Sequence, residues 1–260
     1  MAQAIIPILG AGESGIGAAR LALRHGLSPW VSDRGTIASE RIEELNELNI
    51  AFESGQHDEP RILEAGKASG FVIKSPGIPE HAALIITLRQ AGVEVISEIE
   101  FAARYARTEQ QQIIAITGAN GKTTTTALIS AILSDAGCDV ACVGNIGTSW
   151  ARDLANREHP AGYQVVEVSS FQLDGTVSFR PDIAILLNIT PDHLDRYKNT
   201  FELYADAKMR IAMNAKPRDK FIYCEDDESV KSAMQRTKTN AELIPFSIKK
   251  ELPKGAYIDH

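Results

Sequence analysis

Short apolar runs alternate with helical patterns along the first hundred residues of the chain. IIPIL, PWVS, FVIK and VEVIS have the length of buried strands, and the segments between them carry apolar residues at helical spacing. Strands that alternate with helices in this way are typical of α/β proteins with a parallel sheet. The pattern therefore predicts an N-terminal domain built on such a sheet.

A second series of the same kind follows the polar, strand-poor stretch TEQQQ. It opens with IIAITGANGKTTTTALISAILSDAG and continues through DVACVG, YQVVEVSS and DIAILLNIT. Each half therefore has its own succession of strand, glycine loop and helix. We predict two tandem α/β domains, residues 1–108 and 109–260, with a hinge near residues 106–112.

Composition narrows the class of protein. With 34 acidic and 27 basic residues the net charge is -7, and no basic block occurs, which argues against a nucleic-acid partner. No apolar run approaches the roughly 20 residues that span a bilayer, and the N-terminus lacks a charged signal region. We therefore expect a cytoplasmic protein without a membrane partner. The cysteines Cys138, Cys142 and Cys224 form no CxxC pair, so buried or incidental thiols are favoured over a metal or redox role.

The first glycine loop has the sequence GAGESG and lies between an apolar strand and a helix. Gly10, Gly12 and Gly15 form a GxGxxG pattern, in which bare backbone lets a phosphate approach the helix amides. Asp33 ends the next strand at the distance where such an acid meets a ribose hydroxyl, which indicates a Rossmann-like domain and a nicotinamide dinucleotide as one ligand. A tight turn without a ligand, with Asp33 as a turn residue, is the alternative. Ser75 and Gly77 end a later strand, at the sheet edge where ligands bind.

The second glycine loop, GANGKTT, carries phosphate chemistry. Loop amides and the helix dipole bind phosphate oxygens, the Lys122 ammonium approaches the terminal phosphates, and the Thr123 hydroxyl can join a Mg²⁺ shell. Ile116 stands where the strict P-loop pattern has glycine, so the loop is a shortened variant. A strand that leads into GKT is rarely accidental, and we predict an ATP-binding domain.

A Mg²⁺ ion on such a loop needs a nearby acid, because it takes one or two carboxylates together with phosphates. Glu167 ends the apolar strand YQVVEV and is the best candidate, with a structural salt bridge as the alternative. His193 in NITPDHLDRY follows the next strand, where a metal-ligating and a structural role are equally open. Lys208, in the helical YADAKMRIAM, reads as a solvated surface lysine.

Together these segments resemble the Mur ligase superfamily over nearly the whole chain. The matching motifs are GAGESG, SPG, TGANGKTT, GNIG, EVSSFQL, NITPDHLDRY and the AKMRI helix, in the family's order. The resemblance implies a cytoplasmic, ATP- and Mg²⁺-dependent amide ligase of peptidoglycan synthesis that acts through an acyl phosphate. SSFQL favours the branch that adds D-glutamate to UDP-N-acetylmuramoyl-L-alanine. A sister ligase for another amino acid and a non-catalytic nucleotide-binding module are the alternatives.

The resemblance also implies roles for individual residues. Contacts to ATP would come from Gly118, Ala119, Asn120, Gly121, Lys122, Thr123 and Thr124. Contacts to the UDP-muramoyl substrate, in place of a dinucleotide, would come from Gly12, Glu13, Ser14, Gly15, Asp33, Arg34, Ser75, Gly77, Asn145 and Ser169. The metal ligands would be Thr123, Glu167, His193 and, if carbamylated, Lys208. Lys122, His193 and Lys208 would be catalytic.

Two further expectations follow from the resemblance. Members of the superfamily have a third domain that closes over ATP and supplies much of the amino-acid site. The ending AYIDH falls inside the family's central domain, so we expect a truncated chain that binds its nucleotides without turnover. We also expect a monomer.

Overall fold

Residues 4–107 and 111–258 are described by the computed structural model, and they divide into two α/β units. Unit 1 contains Met1–Ala106 together with Thr148–His159 and Gly175–Val177, as far as these are described. Unit 2 contains the remaining described residues up to 258. Two separate parallel sheets, one in each unit, confirm the predicted α/β class.

Unit 1 begins with five strand-and-helix pairs in direct succession. The strands are β1 (Ile5–Leu9), β2 (Ser28–Asp33), β3 (Ala51–Ser54), β4 (Phe71–Lys74) and β5 (Glu94–Ser97). The helices are α1 (Glu13–Arg24), α2 (Ser39–Glu47), α3 (Glu59–Ser69), α4 (Ala83–Gln90) and α5 (Glu98–Ala103). Local sequence sets the ends of these helices. For α3, the Asp58 carboxylate caps the first turn by accepting a hydrogen bond from Arg61 N at 3.2 Å.

The sheet of unit 1 has the strand order β3-β2-β1-β4-β5, and the pairs are parallel. Trp30, Ile62, Leu88 and Val95 lie in one buried cluster between this sheet and its helices. Burial of each such side chain contributes roughly 1.5–3 kcal/mol to folding. The winding direction reverses between β1 and β4, and open α/β sheets bind ligands at the carboxyl ends of the strands at such a point.

Helix α7 (Trp150–Asn156) belongs to unit 1, although its sequence lies between two strands of unit 2. The Arg152 guanidinium forms ion pairs with Glu13 (Nε to Oε1, 2.8 Å) and Glu44 (Nη1 to Oε1, 2.5 Å). Ser149 Oγ donates a further hydrogen bond to Glu13 Oε1 at 3.1 Å. The predicted division at 108/109 did not anticipate this segment. The boundary itself falls among residues outside the described part of the chain and stays a prediction, as does the hinge.

Glu98 is the first residue of α5 and only 1% exposed. Its Oε1 accepts a hydrogen bond from Ala151 N at 2.5 Å, whereas Oε2 has no hydrogen-bond partner within the described residues. Burial disfavours the charged carboxylate and raises its pKa from 4.5 to about 7, and the nearby Glu13 charge acts in the same direction. The Ala151 N–H opposes this shift. The folded chain therefore retains this proton at pH values where the unfolded chain has lost it.

This retention predicts how stability depends on pH. Because the pKa is raised, the contribution of the neutral carboxyl is fully present below pH 4.5 and is lost as the pH rises through about 7. Glutamine does not ionise, so a chain with glutamine at this position keeps its stability as the pH rises. We expect the free energy of unfolding of Glu98→Gln, measured as the difference from wild type, to be about 1–3 kcal/mol higher at pH 8 than at pH 5. Urea unfolding at both pH values measures this, with the exposed Glu47→Gln as control. The same difference from wild type at both pH values would contradict it.

Unit 2 continues the alternation with longer connections. Its strands are β6 (Gln112–Thr117), β7 (Val140–Gly144), β8 (Tyr163–Glu167), β9 (Ile183–Leu186), β10 (Lys220–Cys224), β11 (Glu242–Ser247) and β12 (Ala256–Tyr257). Its helices are α6 (Lys122–Asp135), α8 (Ser170–Leu173), α9 (Phe201–Met209) and α10 (Glu228–Arg236), with 3₁₀ turns at Leu194–Tyr197 and Arg210–Ala212.

The sheet of unit 2 has the strand order β12-β11-β10-β9-β6-β8-β7, and the pairs are parallel. β6 is flanked by β8 and β9, so the carboxyl ends of these three strands meet at one edge of the sheet. Ile116, Val165 and Ile185 form the buried cluster beneath this edge. The topology therefore brings the loops that follow the three strands together.

Two expectations from composition can be compared with the fold. None of the described helices is both long and apolar enough to cross a membrane. The cysteines are free thiols, but they are not buried: Cys142 is exposed, and Cys138 and Cys224 are partly exposed. Cys142 lies on β7, at the end of the strand order, where a side chain is covered less than on a central strand.

Candidate functional site

The glycine loop of unit 1 joins β1 to α1 and lines a cavity of about 380 Å³. Close packing requires Gly15, because a Cβ at this position would lie 1.8 Å from the carbonyl oxygen of Gly10. The first turn of α1 thus approaches the loop, and its N–H groups are free of helical partners. The cavity is lined by the predicted substrate residues Gly12, Glu13, Ser14, Asp33, Arg34, Ser75 and Gly77, and also by His57. Gly15 shapes the loop without lining the cavity.

The Asp33 carboxylate fixes the conformation of this loop. Its Oδ2 accepts a hydrogen bond from Ala11 N at 2.7 Å, and its Oδ1 accepts one from Gly35 N at 2.8 Å. Asp33 is therefore a turn residue, as one reading of the sequence held, and it also lines the cavity. Carboxylate oxygens have further lone pairs, so these bonds leave Asp33 able to accept from a ligand.

Ser75 and Glu13 differ in what they offer to a ligand. The Ser75 hydroxyl is buried and has no hydrogen-bond partner within the described residues, so a ligand group in the cavity would satisfy it. The Glu13 carboxylate is already engaged by Arg41, Arg152 and Ser149. We therefore see a structural role for Glu13 in addition to its position at the cavity.

A second cavity of about 620 Å³ adjoins the first and shares Arg34, His57, Gly77 and Ile78 with it. Its remaining lining includes the apolar residues Pro79, Ala82, Ala83 and Leu84. Free helix amides such as those at the glycine loop are typical of a phosphate-binding site. The second cavity combines an apolar wall with polar residues that include Arg34 and His57.

The phosphate loop of unit 2 joins β6 to α6. Gly121 caps α6 with φ of 82°, a left-handed conformation that glycine adopts without strain. The Lys122 ammonium folds back over the loop and donates to the carbonyl oxygens of Gly118 (3.0 Å) and Ala119 (2.9 Å). Thr124 lies exposed in the first turn of α6. The loop thus has the form of a phosphate cradle with its lysine in place.

Asn188 supports this loop and was not among the residues predicted to bind ATP. Its Oδ1 accepts hydrogen bonds from Ala119 N (3.0 Å) and Asn120 N (2.9 Å), and its Nδ2 donates to Asn120 O (3.0 Å). The available signal was its place: Asn188 follows β9, which pairs with β6. Because β9 and β6 are parallel neighbours, their carboxyl ends are adjacent. A polar residue that follows β9 therefore lies beside the loop that follows β6.

Glu167 ends β8 and is only 2% exposed. Its Oε2 accepts a hydrogen bond from Thr123 Oγ1 at 2.7 Å, and its Oε1 accepts one from Asn145 Nδ2 at 3.0 Å. Both donors are neutral, and no ion pair to Glu167 occurs within the described residues. A buried carboxylate without a cation is costly. Hard oxygen ligands beside a phosphate loop therefore fit Mg²⁺, although the described residues contain no group of three or more His, Cys, Asp or Glu that could hold a metal alone.

Lys208 is buried, which corrects its reading as a solvated surface lysine. It is 2% exposed, and its Nζ donates to the carbonyl oxygen of Gly118 at 2.8 Å, the same oxygen that Lys122 contacts. Burial lowers its pKa from 10.5 to about 7, the Lys122 charge adds to this, and Asp192 opposes it. The reason is tertiary: α9 packs against the phosphate loop, which no pattern within the helix reveals.

The His193 side chain lies at the surface, and the Ser169 hydroxyl is engaged at the start of its own helix. The His193 side chain is 58% exposed, with Asp192 Oδ2 at 3.4 Å and the Phe171 ring at 5.3 Å between centroids. No hydrogen bond or ion pair joins it to Glu167 or Lys208 within the described residues. Its φ of 48° is unusual for a non-glycine residue. The Ser169 hydroxyl caps α8 in a reciprocal pair with Gln172. The structure thus brings Lys122, Lys208, Thr123, Glu167 and Asn145 together around the loop, with His193 on the loop that follows β9.

Comparison with known families decides the class of protein. The Mur ligase middle domain matches residues 116–258, and the Mur ligase MurD-like N-terminal domain matches residues 4–97. The chain belongs to the Mur ligase family. The resemblance found in the sequence motifs is thereby confirmed.

Individual relatives of this Mur ligase chain carry one name, UDP-N-acetylmuramoylalanine–D-glutamate ligase. The protein of Porphyromonas gingivalis is 51% identical over 94% of this chain and 52% of its own length. Those of Bacteroides fragilis and Cytophaga hutchinsonii are 48% and 46% identical, over 98% and 100% of this chain and 55% and 56% of their own lengths. The chain thus spans about half the length of the curated relatives it matches.

Solved structures of Mur ligases share the fold. The UDP-N-acetylmuramate:L-alanyl-gamma-D-glutamyl-meso-diaminopimelate ligase of Neisseria meningitides has a TM-score of 0.63 at 17% identity, covering 98% of this chain and 83% of that one. The UDP-N-acetylmuramate–alanine ligase of Thermotoga maritima has a TM-score of 0.55 at 24% identity, covering 94% and 53%. At these identities the likeness bears on the fold alone.

Proposed function

We propose that this chain is the substrate-binding and ATP-binding part of a ligase that joins D-glutamate to UDP-N-acetylmuramoyl-L-alanine in peptidoglycan precursor synthesis. The observation that carries the proposal is the contact between Thr123, at the start of the phosphate-loop helix, and the buried Glu167 carboxylate. The 51% identity to a ligase with this name supports the substrate assignment. Both nucleotide substrates are soluble metabolites, so we propose a cytoplasmic reaction, carried out by a monomer.

The cavities of unit 1 would bind the UDP part of the substrate. The amino end of α1 offers backbone N–H groups to the diphosphate, with Gly12 and Ser14 at the cavity wall. The Ser75 hydroxyl supplies a further donor next to the loop. Asp33, Arg34 and Gly77 would line the nucleoside, and Asn145 and Ser169 of unit 2 would contact the muramoyl part. A nicotinamide dinucleotide in unit 1 would imply hydride transfer. That reaction needs no second phosphate loop for ATP, so the loop of unit 2 favours UDP as the ligand of unit 1.

Phosphoryl transfer would take place at the loop of unit 2. The substrate carboxylate attacks the ATP γ-phosphate, which gives an acyl phosphate and ADP, and the amine of D-glutamate then displaces phosphate to form the amide. The amides of the Gly118–Gly121 loop and the Lys122 ammonium balance the charge that moves during transfer. The protein forms no covalent bond to the substrate in such a step. Positioning of the reactants and stabilisation of charge therefore account for most of the rate enhancement.

Mg²⁺, when bound, would neutralise phosphate charge and orient the γ-phosphate. Thr123 and Glu167 would hold it at the phosphates, whereas His193 and, as a carbamate, Lys208 would serve a second Mg²⁺ near the acyl substrate. Carbamylation joins the neutral Lys208 amine to CO₂ and releases a proton, which turns a cationic side chain into an anionic one. The burial and lowered pKa of Lys208 support this role, since the amine is largely neutral above pH 7.

An assay of the complete gene product tests the proposal. With ATP, Mg²⁺ and UDP-N-acetylmuramoyl-L-alanine, phosphate release should require D-glutamate, while L-alanine and diaminopimelate should give at most about 1% of that rate, because the amine must be aligned with the acyl carbon. Mass spectrometry of the product checks the new amide. A preference for another amino acid would identify a sister ligase, and absence of turnover with all of them would indicate a non-catalytic module.

A further inference from the structure

Three polar side chains form a hydrogen-bonded series between β2 and the cavities of unit 1. Ser32 Oγ lies 2.5 Å from Glu53 Oε1 and 2.6 Å from His57 Nδ1. Ser32 is fully buried, whereas His57 is partly exposed and lines both cavities. Glu53 Oε1 also accepts a hydrogen bond from Asp58 N at 2.9 Å. The series therefore runs from a fixed carboxylate to an imidazole at the cavity wall.

The donors and acceptors in this series can be assigned from chemistry. A carboxylate only accepts hydrogen bonds, so the single hydroxyl hydrogen of Ser32 is donated to Glu53. Ser32 Oγ then presents a lone pair to His57, and the hydrogen between them belongs to Nδ1 of the ring. A neutral imidazole has one N–H, which leaves Nε2 as a bare acceptor. No partner of Nε2 occurs within the described residues.

The surroundings keep the ring neutral. Burial lowers the pKa of His57 below 6.5, and Arg34 acts in the same direction, whereas the carboxylates of Glu53, Asp33 and Glu59 oppose this. At pH 7.5 the ring is therefore mostly uncharged. A charged ring would carry a hydrogen on Nε2 and could not accept one.

We infer that His57 Nε2 accepts a hydrogen bond from the uridine of the bound substrate, and that Glu53 and Ser32 are positioning residues that hold the ring in its Nδ1–H tautomer. This inference rests on the proposed function for the identity of the nucleotide. Two donors on uridine have the required chemistry, the imide N3–H of the base and the ribose hydroxyls. The acceptor lies where the two cavities meet, between the glycine loop and the apolar wall.

The tautomer can be measured without any ligand. Long-range ¹⁵N–¹H correlation spectra of the chain at pH 7.5 should show His57 protonated on Nδ1, the less common tautomer in solution. Ser32→Ala removes the acceptor and should shift His57 toward the Nε2–H form, while His25, which stacks on Tyr105 and is outside this series, should not change. An Nε2–H signal for His57 in the wild-type chain would overturn the inference.

Calorimetric titration of the chain with UDP tests the contact itself. His57→Asn retains a donor toward Ser32 but has no group at the position of Nε2, and it should weaken UDP binding about tenfold. His57→Gln, whose amide oxygen reaches further, should recover part of that affinity. His25→Phe is the matched control and should bind UDP as the wild type does.

Modified nucleotides identify the donor. Methylation of N3 removes the imide donor. If N3-methyl-UDP binds the wild-type chain about tenfold more weakly than UDP does, but binds His57→Asn as tightly as UDP does, the donor is the base imide. The same coupling with 2′-deoxy- or 3′-deoxy-UDP assigns it to the ribose. Equal UDP affinity of wild type and His57→Asn would overturn the inference and leave the proposed function intact. If UDP fails to bind the wild-type chain at millimolar concentration, the proposed uridine site and this inference both fall.

Discussion

Replacement of Lys122 by methionine is expected to lower kcat of the complete ligase by at least about 10²–10³-fold, because a positioned charge on the transferring phosphate is lost. The Lys122 ammonium lies within 3.0 Å of the Gly118 and Ala119 carbonyl oxygens, at the centre of the phosphate loop. Methionine fills similar space without the charge. Phosphate release at saturating ATP and UDP-N-acetylmuramoyl-L-alanine gives the rate.

The control for this variant is Lys216→Met, which removes an exposed lysine of the same unit. It should retain the wild-type rate and the wild-type Tm. UDP affinity should be unchanged in Lys122→Met, since the glycine-loop cavity belongs to unit 1. A kcat within about threefold of wild type would mean that Lys122 does not contact the transferred phosphate.

Lys208→Ala should also abolish most turnover, and a small carboxylic acid such as acetate should restore part of it by occupying the place of the carbamate. Carbamylation consumes the neutral amine, and the pKa of Lys208 lies at about 7, so activity should rise with added bicarbonate and rise from pH 6 to pH 8. The chemical-rescue assay, with and without acetate, measures this. Normal turnover of Lys208→Ala at saturating substrates would contradict the role.

A second readout separates this function from folding. A lysine whose pKa is depressed in the folded chain contributes stability only above its unfolded value of 10.5, and that contribution is lost as the pH falls toward 7. At neutral pH the buried amine is therefore a cost to the fold. Lys208→Met, which keeps the volume and removes the charge, should raise Tm at pH 7 while it lowers turnover. A lowered Tm would indicate that the Gly118 contact mainly supports the structure.

Periodicity predicted the two sheets because buried parallel strands are apolar throughout and their helices are amphipathic. Position at strand ends was the second reliable guide. Glu167 was selected as a polar residue that ends an apolar strand, and the structure brings it to Thr123 of the phosphate loop. The spacing of apolar residues and the position of a strand end are both visible within one segment of the chain.

Burial and pairing between distant segments could not be predicted in this way. Lys208 is buried because α9 packs on the phosphate loop, and Asn188 braces that loop through the neighbouring strand β9. The His57 ring contacts Ser32 on β2, and Ser32 in turn contacts Glu53 on β3. The helix α7 joins unit 1 although its sequence lies between two strands of unit 2. Each of these depends on contacts between residues far apart in sequence.

The assignment of α7 to unit 1 has a consequence for biosynthesis. The chain passes between the two units five times, and the last residues of unit 1 are Gly175–Val177. During translation the first unit stays incomplete for about 70 residues after Ala106, which takes roughly 4–14 s at 5–20 residues per second. Until α7 has been synthesised, the sheet of unit 1 lacks this helix, and Glu13 and Glu44 lack their ion pairs with Arg152. A gene fragment that ends after Ala106 would encode a sheet without its last helix, so an expression fragment of unit 1 has to extend through Val177.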